Sequence, residues 1–403
     1  EGRSKIYGHW GRFYESIPMD INSRSFAGEV FLRQTFDAGR CGEAPPGYGG
    51  PSGNGCNPDD AANDIIGING TLVAPGIKPQ YMDERILGVE YELAEDLKIG
   101  IAYQNRELGR VIEDVSTDGA ATYIIANPGE WDESEEADLM ARIEAEDDPG
   151  QRARLENLLR QYRGIRQFDP PSRNYHALQF TLTRRFSKAL YMQGSYTYSK
   201  TKGNFPGLIS YDNGQVDPNI SSQYDLIELT SNRYGSLPQD RPHYIKLDGY
   251  YQFDLKQAGQ LTTGTRIRAL SGTPRQALAA HWLYGFNESF LLPRGTVGRT
   301  QFETGLDIHV GYARKLKSNM ELEVFSDIIN VFNDQGVAGV SNAFTVSNSN
   351  PIIGGSYEDL IWAKANGNTG GETAEPIRRN PNYGNTTSRY SPLTVQLGAR
   401  LSF

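Results

Sequence analysis

The chain has 403 residues, 38% of them hydrophobic and 22% charged, and a formal net charge of −9. This acidic balance argues against a basic nucleic-acid-binding protein. The sequence contains no run of about eighteen apolar residues, so no transmembrane helix is predicted. A soluble all-β protein and a membrane β-barrel both remain open, because the strands of a membrane barrel are only half apolar.

The first predicted strand covers residues 3–15. The opening sequence EGRSKIYGHWGRFYE has no initiator Met and no apolar segment typical of a signal peptide. We therefore expect this end to be a cut inside an ordered strand. The loop that follows contains the only two cysteines, Cys41 and Cys56. Such a pair predicts one disulfide in an oxidising compartment, with two unrelated thiols as the alternative.

Nine further strands are predicted from the period-two alternation of apolar and polar residues. They cover residues 81–93, 97–108, 172–186, 190–200, 243–253, 260–273, 301–315, 319–331 and 391–403. In the last strand, one face holds Leu393, Val395, Leu397, Ala399, Leu401 and Phe403. Its alternation persists for about eleven residues, the length that a membrane-spanning strand needs.

The connections between these strands alternate in length. Tight turns are predicted at Ala94–Asp96, Ser187–Ala189, Asp254–Gly259 and Leu316–Ser318, and long loops at 16–80, 109–171, 202–240, 274–300 and 332–391. Long irregular loops argue against a compact soluble domain. Short periplasmic turns and long extracellular loops are typical of outer-membrane barrels. The predicted fold is therefore an all-β, transmembrane antiparallel β-barrel, and a soluble sandwich is the alternative.

The loop at 109–171 has a helical pattern. It is acidic from Glu130 to Asp148 and then rich in arginine. Leu155, Leu158, Leu159 and Tyr162 are spaced as one helical face. Met140 and Ile143 indicate a second short helix, with DDPG as the turn between the two. We predict a helical hairpin over the barrel mouth, acting either in loop packing or as a lid or ligand contact.

Several segments together resemble a known family. They are GRFYESIPMDINSRSF, GSYTYSKTKGNFPG, RPHYIKLDGYYQF, SGTP, DIINVFND and NPNYG…SPLTVQLGARLSF. Their order and spacing resemble the C-terminal barrel of TonB-dependent outer-membrane receptors, with the Oar-like group nearest. The resemblance implies that Leu397, Leu401 and Phe403 form the signal read by the barrel-assembly machinery.

The resemblance also implies a longer protein. Members of the family have a plug domain and a barrel of 22 strands. Residues 1–403 would then be about ten C-terminal strands, without the plug and the TonB-contacting segment. Ten strands closing alone is the alternative, since even strand numbers from eight upward occur.

The function implied is transport through a plugged barrel in the bacterial outer membrane. A scarce, unidentified ligand would be imported, or a protein or peptide exported, with energy from the TonB complex and with membrane lipid as a further partner. A passive porin or a surface adhesion or binding barrel is the alternative. Charged residues on the predicted lumen face contact the plug, line the transport path or keep a wide pore hydrated. They are Glu90, Glu92, Arg266, Arg268, Glu321 and Glu323.

Enzyme chemistry has little support in the sequence. The five histidines are scattered without metal-ligand spacing, and no G-x-S-x-G elbow occurs. Asp59, Asp60 and Asp64 lack EF-hand spacing and are interpreted as solvated loop carboxylates. We therefore expect no catalytic residue, cofactor or metal.

Overall fold

The computed structural model describes residues 2–25, 31–35, 62–66, 71–187, 189–316, 320–367 and 370–403. Cys41 and Cys56 lie outside these residues, so the predicted disulfide stays a prediction. Thiol labelling of denatured, non-reduced protein tests it, because two reactive thiols would exclude the bridge.

The described residues form 23 strands, and the ten long ones lie where apolar and polar residues alternate, with β-branched and aromatic residues frequent among them. The strands are β1 Ser4–Tyr14, β2 Phe31–Thr35, β3 Ala62–Ile66, β4 Leu72–Val73, β5 Tyr81–Ala94, β6 Leu97–Arg110, β7 Glu113–Val115, β8 Ile124–Ala126, β9 Arg173–Ser187, β10 Leu190–Gly203, β11 Gly235–Ser236, β12 His243–Asp254, β13 Gln260–Leu270, β14 Leu278–His281, β15 Gly285–Phe290, β16 Glu303–Lys315, β17 Glu321–Ile329, β18 Val337–Val340, β19 Ala343–Asn348, β20 Lys364–Asn366, β21 Glu372–Pro376, β22 Thr386–Arg389 and β23 Thr394–Ser402.

Helices are confined to the connections. The α-helices are α1 Met19–Ser25, α2 Glu133–Ala145 and α3 Pro149–Gly164. The short 3₁₀ helices are Ile165–Gln167, Ser222–Tyr224, Ile227–Thr230, Lys256–Ala258 and Tyr357–Trp362. The predicted hairpin is therefore confirmed as α2 and α3.

One large antiparallel sheet contains all ten predicted strands in chain order. Its order is β1-β5-β6-β9-β10-β12-β13-β16-β17-β23, with the two-residue β11 attached to β10. Each of these ten strands pairs with the next of the ten along the chain, as in an up-and-down barrel wall. In the described part of the chain, β1 and β23 form the two edges of this sheet and do not pair with each other.

The strand register gives the sheet one polar and one apolar face. Across β12, β13 and β16 it aligns Asp248, Arg266 and Asp307 on the polar face, which we call the lumen face. One residue earlier on β12, it aligns Leu247, Ile267 and Leu306 on the opposite face, which we call the outer face. Because the side-chain period of a strand is two, a slip of one residue would invert both faces.

Short connections join the strands at one end of the sheet. Asp96, at the turn between β5 and β6, has a φ of 66°. Gly259 ends the connection between β12 and β13 with a φ of 113°, and an added Cβ there would lie 2.4 Å from the carbonyl oxygen of Ala313. A side chain at this position would both strain the backbone and collide with β16. The tight turns predicted there are confirmed.

The buried core lies in the long connections rather than under the sheet. One cluster contains Val115, Ile124, Leu139, Tyr162 and Tyr224, which come from two different connections. A second cluster packs Leu291, Phe344 and Tyr383 together, and β14 pairs with β15 and β19 in a small sheet beside it. The long connections, which the sequence predicts to be loops, thus form a packed layer with its own core. We call this the loop layer.

Candidate functional site

The lumen face carries the six charges that the sequence singles out. Register places Glu92 opposite Lys98, and Glu323 opposite Arg400. Arg266 lies between Asp248 and Asp307, and the remaining three residues share the same face: Glu90, Arg268 and Glu321. The register thus places all six on one face of the sheet, and their predicted contacts with a plug or a ligand stay a prediction.

Three of the six form ion pairs. The Nζ of Lys98 lies 2.9 Å from an oxygen of Glu90, and the Nε of Arg266 lies 2.7 Å from one of Asp248. Arg400 approaches Glu323 at 3.2 Å. Such exposed pairs contribute about 0–1 kcal/mol each. They set the local charge pattern of the lumen face more than its stability.

A cavity of about 680 Å³ lies against the lumen face of β12, β13, β16, β17 and β23. Carboxylates, one arginine and one histidine line it. They include Asp248, Arg266, His309, Glu323 and Asp327. The Nδ1 of His309 lies 2.7 Å from a carboxylate oxygen of Asp327. The lining can therefore donate and accept hydrogen bonds with a polar solute.

The three residues of the implied assembly signal lie on or beyond the outer face of β23. Leu397 is 82% exposed, Leu401 is 48% exposed and Phe403 is 95% exposed. None of them packs into the interior of the chain. Their exposed apolar surface is suited to lipid or to a protein partner.

The helical hairpin is held by caps and by one packed face. The side chain of Asp132 caps α2 by accepting from the backbone N–H of Ser134, and Asp148 caps α3 by accepting from Gln151. Leu155, Leu158 and Leu159 pack on the first core cluster, as predicted. On α2 the inward residue is Leu139, which is 1% exposed, whereas Met140 is 43% exposed. The apolar pair used for the prediction therefore located the helix but not its buried face.

Two buried arginines organise the centre of the loop layer. The guanidinium groups of Arg233 and Arg294 lie 4.6 Å and 4.7 Å from the ring centroid of Phe290. The Nε of Arg294 lies 2.9 Å from Asp212, and Arg233 lies 3.6 Å from Glu288. Burial lowers the pKa of Arg233 to about 10, although the nearby Glu288 opposes this shift. Burial also lowers the pKa of Arg294, with Asp212 opposing it.

A second polar network joins the connections to one another. Glu113 accepts a hydrogen bond from the Oγ of Ser221 at 3.1 Å. The side-chain nitrogen of Asn219 donates to Gln80 at 2.9 Å, and Gln80 donates to Glu15 at 2.6 Å. Burial raises the pKa of Glu113 well above its usual range, and the neighbouring Asp114 raises it further. These bonds fix three connections relative to each other.

The sequence patterns did not reveal these two networks. Their members lie in connections without periodic hydrophobicity. Arg294 and Asp212 come from different connections, as do Arg233 and Glu288. The one available signal was the presence of arginines inside segments otherwise rich in Gly, Pro and Asn, which is too common on surfaces to indicate burial.

Among the described residues, no group of three or more His, Cys, Asp and Glu side chains is arranged to hold a metal ion. No helix in the described ranges is both long and apolar enough to cross a membrane.

Comparison with known proteins gives matches of two kinds. Residues 2–272 match the family described as "Outer membrane beta barrel domain". The chain is 31% identical to the TonB-dependent transporter Oar of Myxococcus xanthus, in a match that covers 100% of this chain and 37% of Oar. The chain thus spans little more than a third of this relative's length.

Similar solved structures include a transporter and a receptor. The outer membrane transporter YddB from Escherichia coli is 13% identical, with 84% of this chain and 36% of that chain covered and a TM-score of 0.43. BauA, the ferric preacinetobactin receptor from Acinetobacter baumannii, is 10% identical, with 92% and 33% covered and a TM-score of 0.39. The family match covers more than half of the chain, and the two-faced antiparallel sheet agrees with it. This chain therefore belongs to the outer membrane β-barrel domain family, and its ten long strands form part of a barrel wall in the bacterial outer membrane.

Proposed function

We propose that this chain is part of the barrel of a TonB-dependent transporter that moves a scarce ligand across the outer membrane. The observation that carries the proposal is the 31% identity with Oar, which extends over the whole chain. The polar lumen face supports it, because a translocating polar solute needs hydrogen-bonding groups along its path.

The open edges of the sheet support a wider barrel. Backbone N–H and C=O groups at a sheet edge cannot remain unpaired in hydrocarbon. The edges at β1 and β23 do not pair with each other in the described chain, so we propose that further strands complete the wall. A barrel of more than ten strands is also wide enough to hold a plug, whereas a ring of ten strands is too narrow. Glu92, Arg268 and Glu321 are then candidate contacts for a plug or for the ligand.

We also propose that Leu397, Leu401 and Phe403 direct assembly of the barrel. Their exposure on the outer side of β23 supports this, because they are available to a protein partner. Phe403→Ala should lower the assembled fraction in cells while leaving the melting temperature of the assembled protein unchanged. The proposal is wrong if assembly is normal, or if the loss follows a lower melting temperature.

Two alternatives remain distinct from the proposal. A passive porin would conduct solutes without an energy source. A surface binding or adhesion barrel would bind its partner through the loop layer without moving it. We propose a transport role in preference to an enzymatic one, since the matched relative is a transporter.

The test compares the source organism with strains that lack this gene or lack TonB. Depletion of a defined nutrient mixture is followed over time, together with proteins released into the medium. If the chain takes part in TonB-dependent import, one solute should remain in the medium of both mutant strains. If it takes part in export, one protein should remain inside the cells of both mutant strains. A solute whose entry needs this gene but not TonB would indicate a porin. No transport difference in either strain, with loss of surface attachment, would indicate an adhesion barrel.

A further inference from the structure

Two cations lie directly opposite each other on the lumen face. The register of β12 and β13 pairs Lys246 with Arg268, and both side chains are exposed. Directly opposed residues in an antiparallel pair have Cβ atoms about 4.5–5.5 Å apart, and like charges at this separation are destabilising. Other cations of the lumen face, such as Lys98 and Arg266, have a carboxylate partner.

The carboxylates of the adjacent rows are engaged elsewhere. On one side, Glu303 is 3.1 Å from Arg241. On the other side, Asp248 is bound by Arg266 at 2.7 Å, and Asp307 accepts from the backbone N–H of Asn330 at 2.9 Å. Within the described residues, neither Lys246 nor Arg268 forms an ion pair. The Nζ of Lys246 lies 4.2 Å from the centroid of the Tyr244 ring, a contact that leaves its charge uncompensated.

The residues that register aligns with the two cations across the neighbouring strands form a row that is suited to binding an anion. Register continues it through Ser195 and Thr181 on one side and through Gly305 on the other. The hydroxyl groups are hydrogen-bond donors, and a Cβ added at Gly305 would meet no atom within 4 Å. The row therefore has two positive charges, two hydroxyl donors and open space, without a carboxylate among these five residues.

We propose that Lys246 and Arg268 form an anion-binding site on the translocation path, for a solute that carries two or more carboxylate groups. The inference depends on the transport function proposed above and adds the chemical class of the ligand. Two cations on adjacent strands match two carboxylates of one small molecule, and Arg binds a carboxylate through two parallel hydrogen bonds.

The experiment uses citrate as the probe and the full-length protein purified in detergent. Isothermal titration compares the wild type with Lys246→Gln/Arg268→Gln. The control is Arg314→Gln/Lys315→Gln, which removes the same charge from two exposed residues at the far end of β16. We expect citrate to bind the double variant at least about tenfold more weakly, the factor that corresponds to about 1.4 kcal/mol. Binding to the control should be unchanged.

Further measurements make each outcome decisive. The reversed variant Lys246→Glu/Arg268→Glu should lose citrate and gain affinity for spermidine, which checks that the variant is folded. Equal citrate binding by wild type and Lys246→Gln/Arg268→Gln, or no binding to the wild type, overturns the proposal. A lower melting temperature of the double variant without citrate binding would assign the cations to a carboxylate of the protein itself, which also overturns it. Binding in detergent needs no TonB, so a failure of energised transport can be distinguished from a failure of this site.

Discussion

At the residue scale, Arg294 is the clearest point of vulnerability in the loop layer. Removing one partner of a buried ion pair leaves an uncompensated charge and typically costs about 3–5 kcal/mol. Arg294→Met should therefore destabilise the loop layer, because Asp212 at 2.9 Å would lose its cation. Limited proteolysis should cut within residues 204–242, while the sheet keeps its heat-modifiable mobility on gels.

A second variant separates charge from packing in this prediction. Arg294→Met/Asp212→Leu removes both buried charges, so it should recover much of the resistance to protease that the single variant loses. If the single variant is as resistant as the wild type, the ion pair does not stabilise the loop layer.

Also at the residue scale, Glu113 makes the stability of the loop layer depend on pH. Burial and Asp114 raise the pKa of Glu113 in the folded protein above its ordinary value of 4.5. The folded state thus holds a proton that the unfolded state releases at lower pH. The stabilisation is fully present below about pH 4.5 and is lost as the pH rises through the folded-state pKa.

Hydrogen exchange can test this pH dependence. Protection factors of Glu113–Val115, after correction for intrinsic rates, should fall as the pH rises above about 4.5. Glu113→Gln should remove much of that dependence because it has no proton to release. Glu156→Gln, which changes an exposed carboxylate on α3, should behave as the wild type. Identical pH profiles for Glu113→Gln and wild type would contradict the assignment.

At the element scale, the hairpin covers a core that is shared by other connections. Leu139 and Tyr162 contact the same cluster as Phe205 and Tyr224, which come from the connection between β10 and β12. Replacing residues 133–163 by a short Gly/Ser linker should leave the ten strands assembled, because the hairpin lies outside the sheet. It should also increase protease cleavage near Phe205, because that side chain loses its cover.

Transport by the same deletion variant separates the two roles of the hairpin. Unchanged transport with increased cleavage would establish a packing role. Altered transport by assembled protein would establish a lid or ligand contact. As a milder control, Leu139→Ala should weaken packing by about 2–5 kcal/mol without removing the hairpin surface.

At the scale of the whole molecule, the distance between β1 and β23 in the membrane depends on the size of the barrel. If ten strands close alone, β1 and β23 are neighbours in the membrane. If further strands complete the wall, the two edges are far apart, and the source locus should encode about twelve more strands, the 22 of a large transporter less ten, and a plug. Cysteines introduced at Ile6 and Ala399, which lie near the short-turn ends of β1 and β23, in a background without Cys41 and Cys56, should then fail to cross-link in full-length protein. Efficient cross-linking would favour the small barrel.

Much of the wall could be predicted from sequence because its signal is local. A strand with a lipid face and a lumen face must alternate with period two, so each strand carries its own evidence. The turn at Asp96 and the hairpin at Glu133–Ala145 and Pro149–Gly164 likewise follow from nearby residues, through a short connection, helical spacing and caps. Even here, local spacing chose Met140 where packing buries Leu139.

The sequence by itself therefore determined the ten strands, their two faces and the family resemblance. Only the tertiary structure decided which charges are buried and which are opposed. Arg294 meets Asp212 across different connections, and Lys246 meets Arg268 only in one register of β12 and β13. The energy of a charge depends on its partners and on its exposure to water, and both are set by contacts between residues distant in sequence.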